Sequence, residues 1–186
     1  MDENLKENFK KIKAVMFDVD GVFFSGQVFI HPTDGEFLKP RSFVDGQGIS
    51  LLRAIGIRIA FITGEHGFIS YIVEKLNALP SVKDGTWPNI DLFTGHVGLS
   101  KADIAEKWLQ GIGVTFEECA YMGDDIADYQ LLKKVGLAAA PVQAEKIVRD
   151  IAHYISDRKG GEGAVRDFCN AVLEARHISP LSLKIK

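Results

Sequence analysis

Three short apolar stretches in this chain stop abruptly at polar residues beside a glycine. Ile12 to Phe17 runs into Asp18-Val19-Asp20-Gly21, Ile57 to Ile62 into Thr63-Gly64, and Glu118 to Met122 into Gly123-Asp124-Asp125. Apolar runs of this length without alternation fit strands buried on both faces, as in a parallel sheet covered by helices. Two more stretches, Asp91 to Thr94 and Gly136 to Ala140, extend the set, and His153 to Ile155 reads as a short last strand. Helical patterns fall between them, at 49–54, 68–79, 100–110, 126–134, 142–152 and 164–175, with a leading helix inside 1–11. This alternation predicts the α/β class, a three-layer Rossmann-like fold around a mostly parallel central sheet. In such sheets the reactive crevice lies beyond the carboxyl ends of the strands, where these polar residues stand.

Between the first strand and the helix that Asp45-Gly46-Gln47-Gly48 opens lies a different pattern. Gln27-Val28-Phe29-Ile30-His31 and Glu36-Phe37-Leu38-Lys39 flank Pro32-Thr33-Asp34-Gly35, which is strong turn chemistry. A β-hairpin is expected, inserted at about 22–43 into a single domain spanning 1–186. Its apolar content exceeds what a solvated flap needs, which points to a partner surface and to a homo-oligomer. The stretch Pro80 to Pro88 reads as the least regular, with Trp87 exposed or half-buried.

Composition removes several functions. A chain of 186 residues with net charge -3 has no electrostatic footprint for nucleic acid or an anionic membrane. No apolar run approaches the roughly 20 residues of a membrane span, and Met1-Asp2-Glu3-Asn4 does not read as a signal peptide. Two distant cysteines, Cys119 and Cys169, give no disulfide framework, so a reducing cytoplasm is expected. The five histidines show no ligand spacing, which argues against zinc. Neither nucleotide-binding glycine fingerprint is present.

Each polar cluster also has a plain reading. Asp18 and Asp20 alternate along a strand, but a turn at Val19 can aim both at one point. Thr63 is either a helix cap or, with Gly64, part of an anion site at a helix start. Ser100-Lys101-Ala102-Asp103 looks like a capping box. Lys101 then sits in the first helical turn, where the dipole disfavours a cation, so it is either solvated or faces an anion. Asp125 with Asp128 fits a cap for the next helix.

Taken together, Asp18-Val19-Asp20-Gly21-Val22, Ile62-Thr63-Gly64, Lys101 and Gly123-Asp124-Asp125 resemble, in order and chemistry, the haloacid dehalogenase superfamily of phosphohydrolases. The hairpin, Asp45-Gly46-Gln47-Gly48 and Gly160-Gly161-Glu162-Gly163-Ala164-Val165-Arg166 resemble its subgroup without a cap domain, which includes the 3-deoxy-D-manno-octulosonate 8-phosphate phosphatases. The resemblance implies a cytoplasmic, Mg²⁺-dependent phosphatase acting on a small phosphorylated sugar acid, assembled as a homotetramer. Asp18 is then the nucleophile and Asp20 the general acid and base. Thr63 and Lys101 hold the phosphoryl group, with Gly46 and Gly64 against the substrate. Asp18, Asp124 and the backbone carbonyl of Asp20 hold the metal, and Asp125 orients metal-bound water.

Two positions depart from the subgroup, which commonly has arginine where this chain has Val44 and Glu65. A substrate carboxylate asks for a cation, which leaves Lys39, Arg41, Arg158, Lys159 and Arg166 as candidates, from this chain or a neighbouring subunit. Other readings are a phosphatase for another phosphorylated sugar or a nonulosonic acid 9-phosphate, a receiver-like phospho-acceptor domain, or a silent scaffold. A receiver would carry its acceptor on a later strand, which the early Asp-x-Asp-Gly opposes.

Overall fold

The computed structural model describes residues 2–183. In chain order the elements are α1 (Glu3–Lys11), β1 (Ala14–Phe17), β2 (Phe29–His31), β3 (Gly35–Leu38), α2 (Phe43–Ala54) and β4 (Arg58–Ile62). There follow α3 (Phe68–Asn77), α4 (Pro80–Lys83), β5 (Ile90–Phe93), α5 (Leu99–Ile112) and β6 (Cys119–Met122). The chain continues with α6 (Tyr129–Leu132), β7 (Leu137–Ala140), α7 (Lys146–Arg149), β8 (Tyr154–Ile155) and α8 (Ala164–Ala175).

Six strands form one sheet in the order β5-β4-β1-β6-β7-β8, and every neighbouring pair is parallel. Strand β1 shows why. All four of its side chains are buried, Val15 and Phe17 towards one face and Ala14 and Met16 towards the other. A strand with no solvated face must be covered twice. On the first face Phe9 of α1, Ile49 and Leu52 of α2 and Phe168 and Val172 of α8 complete a core rich in aromatic rings. On the second face Ala102, Ala105, Trp108 and Leu109 of α5, with Leu131, Leu132 and Val148, complete the other. The spacing in α5 and α8 is the helical stripe that one buried face requires. The chain moves outward from β1 to β4 and β5, then crosses back to β6 on the other side. That reversal is a topological switch point at β1, where a crevice opens beyond the strand ends.

The hairpin is present, β2 paired antiparallel with β3, and every residue in both strands is exposed. Phe29, Ile30, Phe37 and Leu38 are among the exposed apolar side chains.

Several local expectations change. Helix α2 begins at Phe43 and not at Ile49, because the buried Asp45 carboxylate is held by the N–H groups of Gly163 (3.1 Å) and Arg166 (2.9 Å). That tertiary contact draws the glycine-rich segment into the helix. Helix α5 starts at Leu99 behind Gly98, so Ser100 is inside it and exchanges hydrogen bonds with the Val97 backbone (2.8 and 2.9 Å). The 126–134 and 142–152 patterns shrink to a 3-10 turn with α6 and to α7. Trp87 is buried, stacked 5.9 Å from the buried Arg53 guanidinium, and Pro80–Lys83 forms a helical turn. Arg53 donates to the carbonyls of Pro88 (2.8 Å) and Leu76 (3.0 Å), so this irregular stretch is fastened from inside.

Candidate active site

Four strand ends and one helix start converge on a crevice of about 470 Å³. Its lining includes Asp18, Asp20 and Gly21 after β1, Thr63, Gly64 and Glu65 after β4, Lys101 on α5, Asp124 and Asp125 after β6, and Gln143 and Glu145 after β7. The sheet register sets this convergence. Phe17 pairs with Phe61 on one side and Met122 on the other, so the residues that follow leave the sheet at one level. The Asp18 N–H extends the ladder by donating to the Met122 carbonyl (2.9 Å), and the Thr63 N–H donates to Phe93 (2.9 Å).

Lys101 is the centre of charge. It is 3% exposed, and its Nζ donates to Asp18 Oδ1 (2.8 Å) and Asp128 Oδ1 (2.7 Å) and lies 3.3 Å from the Tyr121 hydroxyl. Burial works against its charge, but the Asp18 and Asp128 carboxylates outweigh that and hold its pKa above the usual lysine value. The cation in the first turn of α5 is thus explained by its counterions and not by the dipole.

Asp128 has a role beyond the cap expected from sequence. It is fully buried, and one oxygen takes Lys101 and the Tyr121 hydroxyl (2.5 Å). The other accepts the N–H groups of Asp124 (2.9 Å) and Asp125 (3.1 Å). It closes a capping box with Asp125, as expected, and at the same time anchors the lysine. The sequence carries no separate signal for that second role, because a cap uses the same residue at the same spacing.

Asp18, Asp124 and Asp128 each bring an oxygen within 4.8 Å of the others. Asp128 is spent on its four donors, so Asp18 and Asp124 are the pair facing open space. Burial and then repulsion from Asp128 push Asp18 up to about 7, against Lys101. Burial and then repulsion from Asp18 push Asp124 up to about 8. Asp124 Oδ1 is buried with no hydrogen-bond partner. A buried oxygen without a donor, on a carboxylate whose group lies close to a second one, suits a hard cation. Gly21 shapes that cradle: at φ 84° it is left-handed, and an added Cβ would fall 1.9 Å from Asp124 Oδ2.

Thr63 is buried, and its oxygen accepts the Glu65 N–H (3.0 Å), so the hydroxyl proton is free to point into the crevice. Gly64 lines the crevice beneath Val97. Asp20 lines it too, held by Lys39 (2.9 Å). Asp125 is exposed at the rim and caps Ile126 (2.6 Å). Gly46 is not brought there. With α2 starting at Phe43 it is buried in the first helical turns, beside a separate apolar groove lined by Arg41, Phe43, Ile72, Leu76 and Leu79. Gln143, not singled out from sequence, donates to the Gly21 carbonyl (2.7 Å) and accepts from the Gly160 N–H (3.0 Å).

The model of the haloacid dehalogenase-like hydrolases matches residues 49–168. The chain belongs to this family. This haloacid dehalogenase-like hydrolase is 31% identical over 169 residues to the 3-deoxy-D-manno-octulosonate 8-phosphate phosphatase of Salmonella typhi, covering 90% of this chain and 82% of the relative. The solved phosphatase of that name from Yersinia pestis superposes with a TM-score of 0.80 at 29% identity, over 94% of this chain and 88% of that one. The Moraxella catarrhalis phosphatase of the same name, solved with magnesium, phosphate and the sugar acid, gives a TM-score of 0.79 at 26% identity, over 94% and 93%. The hydrolase is a phosphoric monoester hydrolase. Among the described residues, no helix is long and apolar enough to cross a membrane.

Proposed function

We propose that this chain is a Mg²⁺-dependent phosphatase that removes phosphate from a small sugar acid through an aspartyl-phosphate on Asp18. The observation that carries the reading is the buried Lys101 bridging Asp18 and Asp128 while Asp18 and Asp124 line one crevice with an oxygen each within 4.8 Å of the other. Asp18, Asp124 and the Asp20 backbone carbonyl would hold Mg²⁺, which when bound would supply the positive charge that lets a carboxylate approach a dianionic ester. The Asp18 oxygen attacks phosphorus as the bond to the sugar oxygen breaks. Asp20 gives its proton to that leaving oxygen, then takes one from the water that hydrolyses the aspartyl-phosphate and frees Asp18. Thr63 donates its hydroxyl to a phosphoryl oxygen, and Lys101 offsets the charge gathered there. Gly64 lets the phosphoryl group approach the backbone, and Asp125 orients water at the rim.

The decisive measurement is phosphate release from 4-nitrophenyl phosphate with Mg²⁺. Wild type should turn over steadily, chelator should stop it, and Asp18→Asn should lower kcat by at least ~10³-fold. Turnover that survives Asp18→Asn would end the proposal.

The substrate class rests on the relatives named for 3-deoxy-D-manno-octulosonate 8-phosphate. Of the basic residues considered for the sugar carboxylate, Lys39 is paired with Asp20, Arg158 with Asp167, and Arg166 is bonded to Asn170 (3.0 Å), while Arg41 faces the outer groove and Lys159 is exposed outside the crevice lining. We take the carboxylate contacts to come from a neighbouring copy, in a homo-oligomer, a tetramer by analogy, built on the exposed hairpin. We read the described residues as one hydrolase domain with the hairpin at about 22–43 as its insertion. Free buried thiols at Cys119 and Cys169 support a reducing, cytoplasmic setting.

One observation favours a second reading. Glu65, Asp125 and Glu145 give the crevice mouth an acidic rim, which suits a neutral sugar phosphate. Glucose 6-phosphate and 6-phosphogluconate form a matched pair, and a higher kcat/KM for the acid supports the first reading.

A further inference from the structure

The hairpin root carries a lysine that does not line the crevice yet reaches into its chemistry. Lys39 follows β3 directly, and its side chain is only 8% exposed. Its Nζ sits 2.9 Å from Asp20 Oδ1 and 3.3 Å from Glu36 Oε2. The backbone around it is tied to the same loop: the Ser25 N–H donates to the Pro40 carbonyl (2.9 Å), and Arg41 lies 5.5 Å over the Phe23 ring. Lys39 is therefore held in place from both sides, and it holds Asp20 in turn.

We infer that Lys39 is the positioning residue for the proton transfer at Asp20, an inference that rests on the phosphatase reading above. An ammonium has three donors and no acceptor, so it can hold only an unprotonated oxygen. With Oδ1 taken by Lys39, Oδ2 is the oxygen left to exchange the proton with the leaving group. When the phosphorus–oxygen bond breaks, that proton passes to the leaving oxygen and Asp20 becomes a carboxylate still held by Lys39. The same oxygen then recovers a proton from water in the second half of the cycle. Without Lys39 the carboxyl group rotates about its side-chain bonds, and a fraction of encounters presents the wrong oxygen. Positioned acid–base groups supply ~10²–10⁴-fold, so losing the alignment forfeits part of that.

The inference predicts a dependence on the leaving group. Phenyl phosphate and 4-nitrophenyl phosphate have nearly the same shape, but phenolate needs a proton far more than nitrophenolate does. The test measures kcat/KM, which reports steps through formation of the aspartyl-phosphate, on both esters with Mg²⁺ for wild type, Lys39→Met and Lys39→Arg. For Lys39→Met, phenyl phosphate should lose at least ~10-fold while 4-nitrophenyl phosphate changes less than ~3-fold, with Lys39→Arg recovering part of the loss. Equal losses on both esters would mean a general structural or charge effect and would overturn the inference, as would no loss on either. A Lys39→Met protein whose melting temperature stays close to wild type excludes misfolding as the cause. Wild type inactive on both esters would instead remove the phosphatase reading, and this inference with it.

Discussion

A methyl group on Gly21 would sit 1.9 Å from one Asp124 oxygen, and the backbone there is left-handed at φ 84°. Gly21→Ala therefore meets both a strained conformation and a displaced carboxylate, at a cost of at least ~1–2 kcal/mol in stability. Its Mg²⁺ activation constant should rise at least ~10-fold, as Mg²⁺ titrations of activity would record. Asp128→Asn tests the other side of the site. It keeps the volume but removes the charge that, with Asp18, holds Lys101. We expect kcat to fall ~10–100-fold with a smaller change in KM, because Lys101 and Asp18 lose alignment and not substrate contact. At this scale Asp18, Asp20, Thr63, Lys101 and Asp124 were readable because each ends an apolar run or breaks the dipole rule. Asp128 was not, because a cap uses the same residue at the same spacing. Gly46 lies outside the crevice lining, because its surroundings depend on where α2 begins.

That starting point is a property of elements. Asp45 holds the first turn of α8 through two backbone N–H groups, although 118 positions separate it from Gly163. Nothing local in Phe43-Val44-Asp45-Gly46-Gln47-Gly48 predicts such a partner. Asp45→Ala removes a buried carboxylate cap and leaves those donors unpaired, which should cost ~2–3 kcal/mol and lower the melting temperature by ~4–12 °C. Calorimetry that finds less than ~1 kcal/mol would show the contact to be incidental. The hairpin is the opposite case. Its turn chemistry is local, so the hairpin forms where the sequence predicts it, with β2 shortened to Phe29–His31 and Gly35 drawn into β3. Its exposed Ile30 and Phe37 are the natural residues to alter. Ile30→Glu with Phe37→Glu should convert the proposed oligomer to monomer in light scattering while leaving the melting transition of the fold intact.

Across the whole molecule, the site is a destabilising cluster until a cation joins it. Asp18 and Asp124 have folded-state values near 7 and near 8, above the ordinary carboxylate value of 3.8. Between about pH 4 and pH 8 the folded chain thus holds protons that the unfolded chain has released, so stability of the metal-free protein falls as pH rises through that window. The loss is complete above the folded values. Millimolar Mg²⁺ should then raise the melting temperature by several degrees at pH 8 and by much less at pH 5, where the carboxylates are protonated. Thermal melts at both pH values, with Mg²⁺ or with chelator, check the sign. A larger Mg²⁺ effect at pH 5 would contradict it.

Sequence alone determined the alternation of buried strands and helices, because a two-face-buried strand and an amphipathic helix each have a period that no tertiary contact is needed to read. It also determined which residue types end those strands, and so the class of chemistry. Only the tertiary structure decided which carboxylates face each other, which one is spent on holding Lys101, and that Lys39 of the hairpin reaches Asp20. Those pairings join residues far apart in the chain, and they depend on the strand order and register that bring their ends to one level.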